Sequence, residues 1–266
     1  MKSNKLTMRV PAMVIAGLLT VGWAGSSRAQ LVEGFENGFG TGESIIGDAG
    51  IQSSYFGIPS TQGTHQLLLT TINSTPGSAD ANGGYTNQSG NNSVTAAALG
   101  TFFGVSSASI KDGTTTGKQG SGFTIGLGAL SAGQTIAFDY NFLTQEPTNG
   151  GTGGNKDFAF YTLTNQAGVT VVTDTLTPTV GTPGSTDPFG SQTQYSTFSI
   201  NITAPGTYTL GLGVADAGNP ATDDAPSALL VDNISVNTAV PEPSTALFCL
   251  AGLGLLGALR RFGQRS

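Results

Sequence analysis

The chain has 266 residues, among them 40 glycines, one cysteine and one histidine, and only 10% of its residues are charged. Residues 30–238 hold three lysines, no arginine and fifteen acidic residues. This balance excludes a nucleic-acid-binding body, because such binding depends on many cationic contacts with phosphates. One cysteine and one histidine also exclude a disulfide framework, a cysteine-ligated zinc site and a histidine-cluster metal site.

The N-terminal segment has the order of a secretory signal peptide. Two lysines and an arginine precede an apolar run over residues 11–24, and Ser27 and Ala29 place small residues at positions −3 and −1 of a cleavage site. We therefore predict a signal peptide over residues 1–29 and a mature chain that starts near Gln30. The alternative is an uncleaved membrane anchor, for which the apolar run is short.

The C-terminus combines a proline-rich tripeptide, an apolar stretch and a basic tail. The uncharged stretch over residues 245–259 is followed at once by Arg260 and Arg261. A helix of that length spans about 22 Å, less than the roughly 30 Å of a bilayer's hydrocarbon core, and arginines that reach the headgroups compensate for the difference. We predict one transmembrane helix there, with the arginines in the cytoplasm and the body outside.

This arrangement resembles the PEP-CTERM sorting signal of Gram-negative bacteria, which a membrane protease-transpeptidase called exosortase recognises. The resemblance covers about residues 240–262, within a predicted sorting signal at residues 239–266, and implies exosortase as a partner. The sorting residues that it implies are Pro241, Glu242, Pro243, Arg260 and Arg261. It further implies a precursor anchored in the inner membrane that is cut near the tripeptide and then reaches the cell surface or the extracellular matrix. The alternative is a plain C-terminal anchor with a proline-rich stalk.

The body between the two ends alternates apolar and polar residues over short runs separated by turn residues. This alternation is typical of half-buried strands and places Ile136, Phe138, Tyr140 and Phe142 on one strand face. We predict similar strands over residues 52–57, 65–72, 97–105, 122–127, 157–164, 168–174, 197–202, 208–214 and 228–236. No stretch shows helical spacing, so we expect an all-β fold, a jelly-roll-like antiparallel β-sandwich over residues 30–238.

Four short motifs of the body resemble the galactose-binding-like jelly rolls of carbohydrate-binding modules. They lie at residues 34–38, 63–70, 206–210 and 230–236. In that family an early Phe-Glu and a late Asp before the last strand hold a structural calcium ion. The resemblance therefore implies Glu36 and Asp232 as calcium ligands.

The pattern of the last strand supports a buried carboxylate at Asp232. Leu230, Ile234 and Val236 share their parity with Asp232, so Asp232 points inward if that face is the core. A buried charge needs a cation or several hydrogen bonds, and calcium is a natural partner where basic residues are so few. The alternative is that Asp232 caps backbone amides near the end of the strand.

Catalytic and sugar-binding candidates are few. Acid–base catalysis would depend on carboxylates, with Glu36, Asp139, Glu146 and Asp157 as the candidates, and the lone His65 is more typical of a surface residue than of a base. Aromatic side chains are the usual platforms for sugars. The mature body has no tryptophan; the candidates for this role are Tyr55, Phe56, Tyr85, Tyr161 and Tyr195.

The sequence therefore favours a non-enzymatic, exported protein of the cell envelope or the extracellular matrix, with an adhesive or structural role and extracellular polysaccharide as a second partner. A carbohydrate-binding module or lectin is the alternative, and a small extracellular polysaccharide hydrolase is the third hypothesis. Calcium is the one cofactor that we consider.

Overall fold

The computed structural model describes residues 29–73, 87–113, 115–145, 157–165, 170–176, 189, 191–217 and 226–237. Within these ranges the chain forms seventeen strands, one α-helix (α1, Ala96–Phe103) and one turn of 3-10 helix at Ser107–Ser109. The strands are β1 Ala29–Glu33, β2 Glu43–Ile46, β3 Asp48–Gln52, β4 Ser54–Tyr55, β5 Ile58–Pro59, β6 Gln66–Thr70, β7 Val94–Thr95, β8 Lys111–Asp112, β9 Thr115–Thr116, β10 Gln119–Leu130, β11 Thr135–Thr144, β12 Phe158–Asn165, β13 Thr170–Leu176, β14 Ser191–Gln192, β15 Ser196–Asn201, β16 Gly206–Asp216 and β17 Ser227–Asn237.

Two antiparallel sheets form the body. The first sheet has seven strands in the order β14-β11-β17-β6-β3, with β15 also paired to β11 and β1 also paired to β17. The second sheet has six strands in the order β13-β12-β16-β10-β2, with β7 also paired to β10. Strands β4 and β5, and strands β8 and β9, form two separate hairpins. The predicted all-β, antiparallel β-sandwich is thereby confirmed.

Apolar side chains of both sheets meet in one core. The four predicted inward residues of β11 belong to it, as do Leu67 and Leu69 of β6 and the alternate residues of β16 that face them: Tyr208, Leu210, Leu212 and Val214. Burying a side chain of this size stabilises the fold by roughly 1.5–3 kcal/mol. The alternation of apolar and polar residues therefore determines which face of most strands lies between the sheets.

The predicted strand over residues 97–105 is wrong, because helix α1 occupies most of this segment. Thr95 caps the helix by accepting a hydrogen bond from the backbone of Ala98, and Gly104 ends it with φ 68°. The alanines favour a helix, and the four-residue spacing of Leu99 and Phe103 lets both bury their side chains. The helix covers part of the outer face of the second sheet.

A β-bulge in β17 reverses the alternation of side chains near the end of that strand. From Ala137 to Asp139 on β11, the partner on β17 moves by three residues, from Ser235 to Asp232, and Asn233 adopts φ 53°. The shared parity that the sequence predicts for this strand is therefore wrong. The strand residues that face the core are Leu229, Val231, Ile234 and Val236, whereas Leu230 packs on the opposite, outer face of the first sheet.

The described residues include no helix that is long and apolar enough to cross a membrane. The predicted signal peptide lies outside the described residues except for Ala29, where β1 begins. The predicted transmembrane helix over residues 245–259 and all five predicted sorting residues also lie outside them.

Candidate functional site

Asp232 is a fully buried carboxylate that caps a loop on the outer face of the first sheet. Its Oδ2 atom accepts hydrogen bonds from the backbone N–H groups of Thr61 and Gln62 at 2.8 and 2.7 Å. Its Oδ1 atom accepts the N–H of Asn233 at 2.7 Å. Burial raises the pKa of Asp232, and these amide donors offset part of that rise. Asp232 is therefore buried on the outer face of the first sheet and not between the sheets, and backbone amides hold it as in the capping alternative.

Asp139 faces Asp232 across the β11–β17 pair. The Oγ1 atom of Thr61 lies 2.9 Å from Oδ2 of Asp139 and 3.0 Å from Oδ2 of Asp232. Asp139 also accepts hydrogen bonds from the hydroxyl of Thr197 at 2.6 Å and from Nδ2 of Asn233 at 3.1 Å. The two carboxylates are therefore close together, and hydroxyl and amide donors surround both of them.

Glu36 holds the other end of the same loop. Its Oε1 atom accepts the backbone N–H groups of Thr64 and His65 at 2.7 and 2.9 Å, and its Oε2 atom accepts the hydroxyl of Thr64 at 2.8 Å. These hydrogen bonds lower the pKa of Glu36 to about 2. Gly63 adopts φ +67°, and a Cβ atom there would lie 2.1 Å from Oε1 of Glu36, so this position requires glycine.

Glu36 and Asp232 thus fix the loop of residues 60–65 from two sides. N–H and hydroxyl donors already occupy most of the lone pairs of their oxygens, and the described residues include no group of three or more His, Cys, Asp or Glu side chains that could hold a metal ion. Oε1 of Gln62, a buried oxygen within this loop, has no hydrogen-bond partner among the residues that the structure describes. The contacts favour amide capping, and calcium binding by Glu36 and Asp232 stays a hypothesis that requires the loop to rearrange.

His65 lacks the geometry of a catalytic relay. Its Nδ1 atom lies 2.9 Å from Oγ1 of Thr64 and 3.5 Å from Oε2 of Glu36. In a nucleophile–His–carboxylate triad the two partners contact different ring nitrogens, whereas here both contact the same one. The arrangement of Thr64, His65 and Glu36 therefore serves to hold the loop in place.

The hairpin of β4 and β5 covers a second apolar cluster on the outer face of the first sheet. Tyr55 and Ile58 anchor the hairpin, and Phe189 packs beside them. The cluster is completed by Leu68, Leu143, Ala228 and Leu230, with Tyr195 packed against it. The hydroxyl of Tyr195 donates a hydrogen bond to Oε1 of Gln66, and burial raises the pKa of Tyr195.

Phe56 stands at the tip of this hairpin with 44% of its surface exposed. Phe56 and Gly57 have φ values of 48° and 78°, and such a two-residue turn normally takes Asn or Gly at the first position. The Phe56 ring lies 4.5 Å from the ring of Tyr55 and 5.9 Å from that of Phe189, edge to face in both cases. The turn therefore presents a bulky side chain in a strained backbone conformation.

The other predicted aromatic candidates do not offer an open ring. Tyr55 and Tyr161 are buried, the latter in the main core, and Tyr195 is only partly exposed. Tyr85 and the catalytic candidate Glu146 lie outside the described residues. Asp157 is buried and accepts the N–H of Ala217 at 3.1 Å.

Sequence reasoning did not find the turn geometry of Phe56, although the pair Phe56-Gly57 between two short runs was a weak hairpin signal.

Comparison with known proteins identifies the C-terminal segment. Residues 239–265 match the PEP-CTERM protein-sorting motif, so this chain carries the sorting signal that its Pro-Glu-Pro sequence predicts. No curated protein matches the chain. The described body is therefore a β-sandwich that precedes a protein-sorting motif.

Several solved structures resemble the chain distantly. TmCBM61, solved in complex with β-1,4-galactotriose, has a TM-score of 0.40 at 11% identity, over 79% of this chain and 98% of that chain. The CBM22-1 xylan-binding domain of Xyn10C from Paenibacillus barcinonensis has a TM-score of 0.35 at 14% identity, over 79% and 94%. The K1 cleaved adhesin domain of Lys-gingipain from Porphyromonas gingivalis W83 has a TM-score of 0.37 at 10% identity, over 80% and 97%. The two antiparallel sheets described above define the body as a β-sandwich.

Proposed function

We propose that this protein is an exported surface or matrix protein that exosortase sorts through residues 239–265. We further propose that its sandwich binds neutral extracellular polysaccharide without hydrolysing it. Adhesion to the matrix would follow from this binding. The Phe56 ring is the observation on which the proposal depends, because it is large, exposed and in edge-to-face contact with two other rings. The apolar face of a pyranose ring packs well on such a surface.

The backbone at Phe56 adds to this argument. A non-glycine residue at positive φ costs roughly 1–2 kcal/mol, and burial does not offset this cost for a ring that is nearly half exposed. Strain of this kind is common at binding sites. Tyr55 and Phe189 restrain the ring before any ligand arrives, which lowers the entropy that binding has to overcome.

The charge of the body favours a neutral ligand. Residues 30–238 carry fifteen acidic residues against three lysines, and the described residues offer no arginine that could pair with a uronate or a sulfate group. An anionic polymer would be repelled by this net charge. Amide and hydroxyl groups are common on the body, and they suit the hydroxyl groups of a neutral glycan.

The contacts of the carboxylates support binding without hydrolysis. A glycosidase needs one carboxyl group that can protonate the leaving oxygen and a second one across the sugar. Asp139 and Asp232 are close together, but Asp232 is fully buried beneath Thr61 and Gln62. A sugar therefore cannot reach Asp232, the member of this pair whose pKa is raised.

Affinity electrophoresis of the full chain through gels that contain xylan, galactan or mixed-linkage glucan tests this proposal. We expect at least one of these neutral polysaccharides to retard the wild type, and Phe56→Asn to abolish the retardation. Asparagine tolerates positive φ, so this variant removes the ring while keeping the turn. Phe39→Ala is the matched control, because Phe39 is 40% exposed elsewhere on the body. The proposal fails if no gel retards the wild type, or if Phe56→Asn migrates as the wild type does.

A further inference from the structure

The loop between β1 of the first sheet and β2 of the second contains an Asn-Gly pair, Asn37-Gly38. Asn37 is exposed. Among the asparagines that the structure describes, it is the one whose next residue is glycine. Two further Asn-Gly pairs of the chain, at residues 82–83 and 149–150, lie outside the described residues.

An exposed asparagine before a glycine can lose its side-chain amide without an enzyme. The backbone nitrogen of the next residue gives its proton to hydroxide and attacks the side-chain Cγ atom. A bond from this nitrogen to Cγ forms, the bond from Cγ to Nδ2 breaks, and Nδ2 takes a proton from water and leaves as ammonia. Water then opens the resulting five-membered succinimide at one of its two carbonyls. One opening gives aspartate, and the other gives isoaspartate, in which the main chain runs through Cβ and Cγ.

The backbone nitrogen of Gly38 is well suited to this attack. Its N–H points to the carbonyl of Phe35 at 3.5 Å, which is longer than the about 2.7–3.2 Å of an ordinary N–H···O bond. Gly38 adopts φ +82°, and nothing lies within 4 Å of the place that a Cβ atom would take. The nitrogen can therefore lose its proton without giving up a strong hydrogen bond, and open space surrounds it.

Asn201 provides a contrast within the same chain. It is also exposed, at the end of β15. The next residue, Ile202, is buried, and its N–H donates to the carbonyl of Gln134 at 2.8 Å. Attack by this nitrogen would break that hydrogen bond and displace a buried side chain. Both asparagines are exposed, but only at Asn37 is the attacking nitrogen free to react.

The two residues before Asn37 are held in place by the fold. Phe35 is fully buried and adopts φ 60°. Glu36 accepts the backbone N–H groups of Thr64 and His65. An isoaspartate at position 37 adds one carbon atom to the main chain beside these contacts. Either product also adds a carboxylate next to that of Glu36, and like charges at this distance repel each other.

We propose that Asn37 is a site of spontaneous modification, which deamidates to isoaspartate and aspartate, and that the isoaspartate form loosens the hold of Glu36 on the loop of residues 60–65. The longer main chain displaces Glu36 from the amides that it caps. The reaction needs only water and hydroxide, so it proceeds wherever the folded protein is kept. It is independent of Phe56 and of polysaccharide, which the gels test separately.

Peptide mapping by mass spectrometry of the full chain, held in mild detergent and incubated in mildly alkaline buffer, tests the site. We expect Asn37 to convert and Asn201 to remain an amide over the same time. Labelling with isoaspartyl methyltransferase should identify isoaspartate at position 37. Asn37→Gln is the matched variant and should resist conversion, because a glutamine would have to close a six-membered ring. The proposal is refuted if Asn37 persists as long as Asn201.

Urea unfolding and NMR of the same samples test the consequence. We expect incubation to lower the urea midpoint of the wild type more than that of Asn37→Gln, since both chains keep the other two Asn-Gly pairs. The amide resonances of Thr64 and His65 should shift further in the isoaspartate fraction than in fresh Asn37→Asp, which has the new charge without the longer main chain. An isoaspartate fraction whose midpoint or resonances match those of the fresh wild type would overturn the loosening of Glu36.

Discussion

Asp139 and Asp232 face each other across β11 and β17, and the single hydroxyl of Thr61 lies within 3.0 Å of both. One hydroxyl proton can serve only one of these carboxylates at a time. Backbone N–H groups donate the other hydrogen bonds that Asp232 accepts. Side chains donate those that Asp139 accepts. The pair therefore anchors the loop of residues 60–65 to the outer face of the first sheet.

We expect Asp232→Ala to be among the most destabilising single changes in the body. It would leave the N–H groups of Thr61, Gln62 and Asn233 without their acceptor, and an unsatisfied buried donor costs about 1–3 kcal/mol. A net loss of about 3 kcal/mol is our expectation, measured by urea unfolding. Asp139→Ala is the control and should cost less, because its donors are side chains that can turn to water. Equal losses would contradict the capping role.

Two glycines at positive φ should respond differently to alanine. Gly57→Ala adds only backbone strain, because nothing lies within 4 Å of its new Cβ atom, and should cost roughly 1–2 kcal/mol. Gly63→Ala adds the same strain and also collides with Glu36. We expect urea unfolding to show about twice the loss for Gly63→Ala. A smaller loss at Gly63 would show that Glu36 does not hold this loop closely.

Calcium should not alter the melting temperature of the protein. A bound ion at one hundred times its dissociation constant would stabilise the fold by about 2.7 kcal/mol, which circular dichroism detects as a shift of several degrees. Because amides occupy the oxygens of Glu36 and Asp232, we expect equal melting temperatures in calcium and in EDTA. A higher melting temperature in calcium that disappears in Asp232→Asn would instead establish the structural ion.

Loss of the tripeptide should trap the precursor. Pro241→Ala combined with Pro243→Ala removes both prolines of the Pro-Glu-Pro tripeptide in the sorting motif at residues 239–265. We expect mass spectrometry of fractionated host cells to find this variant in the inner membrane with its tail uncut. Pro205→Ala, an exposed turn proline of the body, should be processed as the wild type is. An uncut wild-type chain recovered from the cytosol would contradict the whole account of export.

The alternation of apolar and polar residues predicted most strands, but it did not predict the face of the first sheet on which Asp232 lies. Alternation placed the inner face of β11 correctly, because that strand runs without interruption past its core residues. In β17 one extra residue at Asn233 reverses the faces, and no local pattern marks where such a bulge falls. The helix at residues 96–103 was missed for a similar reason, since its apolar residues fit a short strand almost as well.

The sequence by itself determined the charge of the body, its strand-rich character and the sorting motif, because these depend on composition and on short contiguous patterns. The tertiary structure alone decided which carboxylates meet. Glu36 meets the backbone of residues 64–65, and Asp232 meets that of residues 61–62, only after the fold has formed. Such contacts join residues that are distant along the chain, and their geometry follows from strand register and bulges rather than from any local preference.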